Sequence, residues 1–277
     1  MLFRSIALVL YLDVHDTRLW VEDTGPGSTG ETLVLSHGLL WSTELFRPQI
    51  EHLRARYRVV AWDHRGQGRS ADDERRSIGM ELVTDDALAL LDALGLERVH
   101  FAGLSMGGFV GMRIAARHPE RLRSLILMNT SAGPEPRENL PKYKALNLVA
   151  RELGLGIVAR SELPIMFGRT TMTSPERATL REAWRARLVN NRRSIWRAVN
   201  GVIEREGVEH LLPKISAPTL VLAGDEDVAT TPARAEHLQA NIPGSRLVRI
   251  PRAGHSSTIE NPDAVNIALD AFLAELR

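Results

Sequence analysis

Two rhythms alternate along this chain. Mostly apolar runs of five to eight residues are separated by stretches in which apolar residues recur every three or four positions. Residues 32–37 (TLVLSH), 57–62 (YRVVAW), 99–104 (VHFAGL), 122–129 and 219–224 (TLVLAG) are of the first kind, with 246–250 as a weaker example. Continuous apolar character over so short a length predicts strands buried on both faces. Between them lie amphipathic helices. One is expected from a Thr43 cap through Arg56, with Ile50 and Leu53 facing inward. Another spans about 80–94, with Val83, Ala87, Leu90, Leu91 and Leu94 on one face and Gly95 just past its end. A third runs from Met106 to His118 and is stopped by Pro119. Later, Thr231–Pro232 opens a helix, and Asn261–Pro262 opens a last one that buries Val265, Leu269, Phe272 and Leu276. Strand and helix in this order predict an α/β fold: a mostly parallel, twisted sheet with helices on both faces.

The rhythm breaks once. Residues 131–213 hold several helical stretches and no convincing strand, with Pro134, Pro136 and Pro141 where the segment begins and Pro213 and Pro218 where it ends. The expected organisation is a core domain of residues 1–130 and 214–277, interrupted by a helical lid at 131–213. The apolar run Ile6–Leu12 is too short to cross a bilayer and leads into Asp13 without a small-residue cleavage site, so it reads as a strand.

Composition narrows the function. A net charge of +1 offers no argument for nucleic acid, membrane surface or polyanionic partners. The absence of cysteine removes disulfides, thiolate metal sites and a cysteine nucleophile, and fits a cytoplasmic location. The nine histidines show no ligand spacing, so no metal is expected, and no cofactor either. Nothing in the sequence bears on oligomeric state.

Three places carry chemistry. Gly103-Leu104-Ser105-Met106-Gly107 matches G-x-S-x-G between a strand and a helix. A turn this sharp strains the serine backbone, pushes its hydroxyl outward, and aims a helix N-terminus at the reacting carbonyl. His255, in a loop between the last strand and the last helix, falls on the same sheet edge and is the candidate base. The third is Asp225-Glu226-Asp227, after strand 219–224, where any one of three carboxylates could orient the imidazole. An oxyanion hole needs backbone donors, and the candidates are the N–H groups of Met106 and Leu39, with Gly38 permitting the close approach. His37 is better read as a structural residue of that loop than as a second base.

With these motifs in order, the chain resembles the α/β-hydrolase fold superfamily, in its HG-type esterase, lactonase and cofactor-free perhydrolase branch. The matching landmarks are S-H-G-L at 36–39, D-H-R-G-Q-G-R-S at 63–70, G-L-S-M-G-G at 103–108, G-D-E-D at 224–227 and A-G-H-S at 253–256. The resemblance implies a Ser105–His255–Asp227 triad, since the family pattern G-x-x-D selects the last of the three carboxylates. Some members carry the acid after the preceding strand, but Met128-Asn129-Thr130 offers none. It also implies that the 63–70 segment is a structural loop and not a phosphate cradle. Serine at the elbow separates the chain from the haloalkane dehalogenases and epoxide hydrolases, which use aspartate there.

The expected reaction is hydrolysis of a small-molecule carboxylic ester or lactone through an acyl-enzyme. The alternatives are a perhydrolase or carbon–carbon bond hydrolase on the same triad, or a non-enzymatic small-molecule receptor that kept the fold. Leu40 and Trp41, beside the oxyanion loop, and Met166, Phe167, Trp184 and Trp196 from the lid are the candidate pocket residues. They suggest a small or medium, mostly uncharged substrate.

Overall fold

A computed structural model describes residues 8–276. Its centre is an eight-stranded sheet: β1 (Leu8–Val14), β2 (Thr17–Asp23), β3 (Thr32–Ser36), β4 (Arg58–Trp62), β5 (Val99–Leu104), β6 (Leu122–Met128), β7 (Thr219–Gly224) and β8 (Arg246–Ile250). The spatial order is β1-β2-β4-β3-β5-β6-β7-β8. β1 pairs antiparallel with β2, and β2 antiparallel with β4; every other pairing is parallel. Every residue of β3, β5 and β7 is buried, as their continuous apolar character predicts.

No element is expected at β2 from the sequence. Its alternation of Thr17, Leu19 and Val21 is short and ends in Glu22 and Asp23, so it does not stand out. The strand expected at 6–12 corresponds to β1, except that Ile6 and Ala7 lie outside the described residues.

The helices are α1 (Arg47–Leu53), α2 (Met80–Ala93), α3 (Met106–Arg117), α4 (Leu140–Leu153), α5 (Leu155–Met166), α6 (Arg169–Thr173), α7 (Ala178–Val189), α8 (Trp196–Ile203), α9 (Pro232–Asn241), α10 (Ser257–Glu260) and α11 (Pro262–Ala274). The helix expected from Thr43 starts differently. Ser42 caps a tight turn over Thr43–Phe46, accepting the Glu44 N–H, and α1 follows. Thr43 is used elsewhere: its hydroxyl donates to Glu22 (2.8 Å) and its N–H to Asp63 (2.8 Å). Asn261 caps α11 by accepting the Ala264 N–H. Helices α4 to α8 all fall between β6 and β7. No described helix is long and apolar enough to cross a membrane.

Register is what positions the site. Ser36 pairs with Trp62 and with Gly103, Gly103 with Leu127, Leu104 with Met128, Met128 with Leu222, and Gly224 with Ile250. The C-terminal ends of β3 to β8 therefore stand level, and the loops that leave them meet along one edge, the usual place for a ligand in an open parallel sheet.

Candidate functional site

Ser105 sits between β5 and α3 at φ 51°, ψ −111°, a conformation strained for a residue with a side chain. The surroundings enforce it. Its N–H donates to Met128 O (2.9 Å), and its carbonyl accepts from Gly108 N (2.8 Å), Phe109 N (3.2 Å) and Thr130 Oγ1 (2.8 Å). A Cβ at Gly103 would overlap the Gly107 carbonyl, and one at Gly107 would overlap the Ser36 carbonyl. Both glycines are thus required by the close approach of backbone at the elbow.

The loop after β3 lies against this turn. A Cβ at Gly38 would come within 3.4 Å of the Ser105 Cβ. Leu40, at φ 70°, bends the loop, and its N–H donates to Gln67 Oε1 (3.0 Å). Gln67 Nε2 in turn reaches the Met106 sulfur (3.5 Å). The 63–70 segment is therefore a brace between the two loops. His37 is buried within it: Nδ1 donates to the Gly38 carbonyl (2.7 Å), and Nε2 accepts the His64 N–H (2.9 Å). Burial holds the pKa of His37 below its ordinary value, which suits this neutral, structural role. With Leu40, Gly108 and Phe109 N–H groups all engaged, those of Leu39 and Met106 have no acceptor among the described residues.

Beyond β7 the three carboxylates separate. Asp225 pairs with Arg249 (2.7 Å) at the surface. Glu226 accepts from the N–H and hydroxyl of Thr170 (both 2.6 Å), joining the first turn of α6. Asp227 alone turns inward to His255 Nδ1, at 3.0 Å from Oδ2 and 3.2 Å from Oδ1. Its other donors are Ala229 N (2.9 Å), Thr230 N (2.9 Å), Thr230 Oγ1 (2.8 Å) and Asn129 Nδ2 (2.8 Å). Burial pushes the Asp227 carboxyl up, but the His255 charge and these hydrogen bonds outweigh it and hold the group below its ordinary range. An ionised carboxylate only accepts, so the imidazole proton belongs on Nδ1 and Nε2 is left with a lone pair.

Ser105 and His255 line the same cavity, of about 140 Å³. No hydrogen bond joins the Ser105 hydroxyl to the imidazole, a looseness common in sites without substrate. Leu39, Leu40, Phe109, Val158 and Met166 supply apolar wall, and Glu135, Tyr143, Asn147, Glu162 and Arg205 are polar.

Four of the expected pocket residues lie elsewhere. Phe167, where the backbone turns extended after α5, packs its ring on Trp41 (6.0 Å between centroids), and Trp184 meets Trp41 edge-on (5.0 Å). Trp41 and Trp184 line a separate surface crevice with Arg187 and Arg192. Trp196 is half-buried between the guanidiniums of Arg151 (4.8 Å) and Arg197 (5.1 Å), which cover its faces. Large aromatic rings gain more by packing together than by facing an open cavity.

Three supporting residues escaped the sequence reading. Asn129, at φ 46°, binds Asp227 and the Gly254 carbonyl (3.0 Å), and accepts from Ser257 Oγ (2.5 Å). Glu260 accepts from Gly254 N (2.9 Å), Ser256 N (3.2 Å) and Gly168 N (2.8 Å), tying the His255 loop to the α5–α6 turn. Gln67 is the third. None belongs to a spacing that marks it: Gln67 lies inside the 63–70 motif, and Asn129 lies where the sequence offers no acid.

Comparison with known proteins identifies the family and the fold. The profile of the family described as serine aminopeptidase, S33, matches residues 27–262. A relative from Caulobacter sp. (strain K31), named "Putative carbamate hydrolase RutD", is 32% identical over 267 residues, covering 96% of both chains. A thermophilic esterase from Thermogutta terrifontis superimposes with a TM-score of 0.89 at 30% identity, covering 98% of this chain and 99% of the other. The enol-lactonase from Burkholderia xenovorans does so with a TM-score of 0.87 at 30% identity, covering 96% and 100%. The chain is therefore a hydrolase of the α/β-hydrolase superfamily, belonging to the family described as serine aminopeptidase, S33.

Proposed function

We propose that this hydrolase cleaves a carboxylic ester or lactone through an acyl-enzyme on Ser105. The observation that carries the reading is the Asp227–His255 pair, whose unprotonated Nε2 shares one cavity with a serine held in a strained elbow. His255 takes the Ser105 proton as the hydroxyl attacks the carbonyl. The oxyanion is received by the Leu39 and Met106 N–H groups, two donors beside the elbow with no acceptor among the described residues. His255 then passes its proton to the leaving oxygen. Water, activated by the same imidazole, releases the acid. Asp227 holds the tautomer and stabilises the imidazolium.

Helices α4, α5 and α8 contribute most of the cavity wall opposite Ser105, which supports reading residues 131–213 as a lid. A carbamate is the second reading, favoured by the 32% identical relative; it presents the same carbonyl to the same machinery. Perhydrolysis and carbon–carbon cleavage would need the same triad.

The test is fluorophosphonate labelling of the wild type and Ser105→Ala, followed by turnover of a linear ester, a lactone and a carbamate, each with and without peroxide. Labelling confined to Ser105, with ester or lactone turned over at least about tenfold faster than carbamate, is expected. Absence of labelling would overturn the nucleophile, and a carbamate preference would replace the substrate class.

A further inference from the structure

The cavity that holds Ser105 contains an arginine whose hydrogen bonding is half complete. Arg205 follows α8, and its side chain is 4% exposed. Only one end of its guanidinium is engaged. Nη1 donates to Glu135 Oε2 (3.2 Å) and to the Val202 carbonyl (2.8 Å). Nε is buried without a partner, and Nη2 has no acceptor among the described residues. Nε and Nη2 form the side-on edge of the guanidinium, two parallel N–H groups spaced to match a carboxylate. Elsewhere in this protein that edge is used in this way. Arg65 grips Asp86 through Nε (2.8 Å) and Nη2 (2.6 Å). Leaving the same edge unmet in a buried site is costly unless a ligand completes it.

Position and charge point the same way. The Arg205 guanidinium lies over the Phe109 ring, 4.5 Å from its centroid. Phe109 is one helical turn after Ser105, and the guanidinium on its ring lines the same cavity as the nucleophile. Arg113 and Arg234 lie close enough to repel Arg205, and Glu135 is the carboxylate that offsets them. Glu135 is itself committed, accepting also from Asn139 Nδ2 (2.9 Å). Burial pushes the other carboxyl on the wall, Glu162, above its ordinary value.

Resting on the Ser105 reading above, we propose that Arg205 is a specificity residue that receives a carboxylate, so that the preferred substrate is an ester or lactone carrying a free acid a few bonds from the scissile carbonyl. It differs from the small or medium, mostly uncharged substrate that the sequence suggests.

The test compares kcat/KM for the monomethyl esters of succinic, glutaric and adipic acid with kcat/KM for the matching dimethyl esters. In the wild type the half-ester of at least one chain length is preferred by about tenfold or more. Arg205→Gln brings that ratio to about one. Glu135→Gln removes the competing carboxylate and raises the ratio, so a folding failure of the first variant does not stand in for a result. A wild-type preference for the diester at every length overturns the proposal, as does a ratio unmoved by either substitution. If neither ester is turned over and Ser105 is not labelled, the acyl-enzyme reading fails. Calorimetric titration with glutarate and adipate then decides the anion site, where wild-type affinity at least about tenfold above that of Arg205→Gln supports it and equal affinity overturns it.

Discussion

Replacing Asp227 by asparagine tests the site with almost no change of shape, and the structure dictates how the new amide must sit. Two backbone N–H groups, of Ala229 and Thr230, point at Oδ1. They cannot reverse, so the amide oxygen must take that place. The new NH2 then occupies the Oδ2 position, facing Asn129 Nδ2 and His255 Nδ1. Asn129 cannot turn to accept from it. Its own Nδ2 donates to the Gly254 carbonyl, and its Oδ1 accepts from Ser257. The shorter imidazole contact, at 3.0 Å, then faces the new amide N–H, which favours a proton on Nε2 and removes the lone pair that would serve Ser105. The loss in kcat is expected to be about 10⁴-fold, or roughly 5.4 kcal/mol of transition-state stabilisation, with KM little changed. Steady-state hydrolysis of a p-nitrophenyl ester measures it, with circular dichroism verifying the fold. Asp225→Asn, at a surface ion pair, serves as control and should change kcat by less than about threefold. A loss under about tenfold in Asp227→Asn, or an equal loss in the control, would refute the assignment of the acid.

Three further outcomes are expected. Gln67→Leu removes the acceptor that holds the Leu40 N–H, so kcat should fall by about tenfold through a loosened oxyanion loop, and Gln67→Glu, which keeps that acceptor, should recover most of it. Arg65 is buried against Asp86, so Arg65→Ala leaves that buried carboxylate without its ion pair, while Asp73 keeps Arg75, and should lower stability to urea by about 3–5 kcal/mol. The Asp227 carboxyl is held below its unfolded value, near 4, so its contribution to stability is complete above about pH 4 and is lost as the pH falls through its folded value. The melting temperature of the wild type should therefore exceed that of Asp227→Asn at neutral pH and converge on it in acid; a gap that persists unchanged would contradict this sign.

How far the chain could be read without coordinates depended on the range of the forces involved. Burial on both faces leaves a local mark, so β3, β5 and β7 stood out as apolar runs, whereas β2, half polar, did not. The elbow was legible because its strain is met by nearby residues, with glycines at 103 and 107 and a strand and a helix on either side. His255 followed from its place on the sheet edge. What could not be read were choices between residues of equal local claim. Asp225, Glu226 and Asp227 are adjacent and alike. Arg249, Thr170 and His255, brought in from distant parts of the chain, divide them. Trp41, Phe167 and Trp184 looked like pocket wall until packing drew them onto one another. The open fork of Arg205 is visible only when every neighbour has been placed. Local sequence determined the strands, the elbow and the order of the reactive groups, because propensity and strain act over a few residues. Tertiary structure decided which acid turns inward and which charge faces the cavity, because hydrogen bonds and packing join groups a hundred residues apart on no repeating pattern.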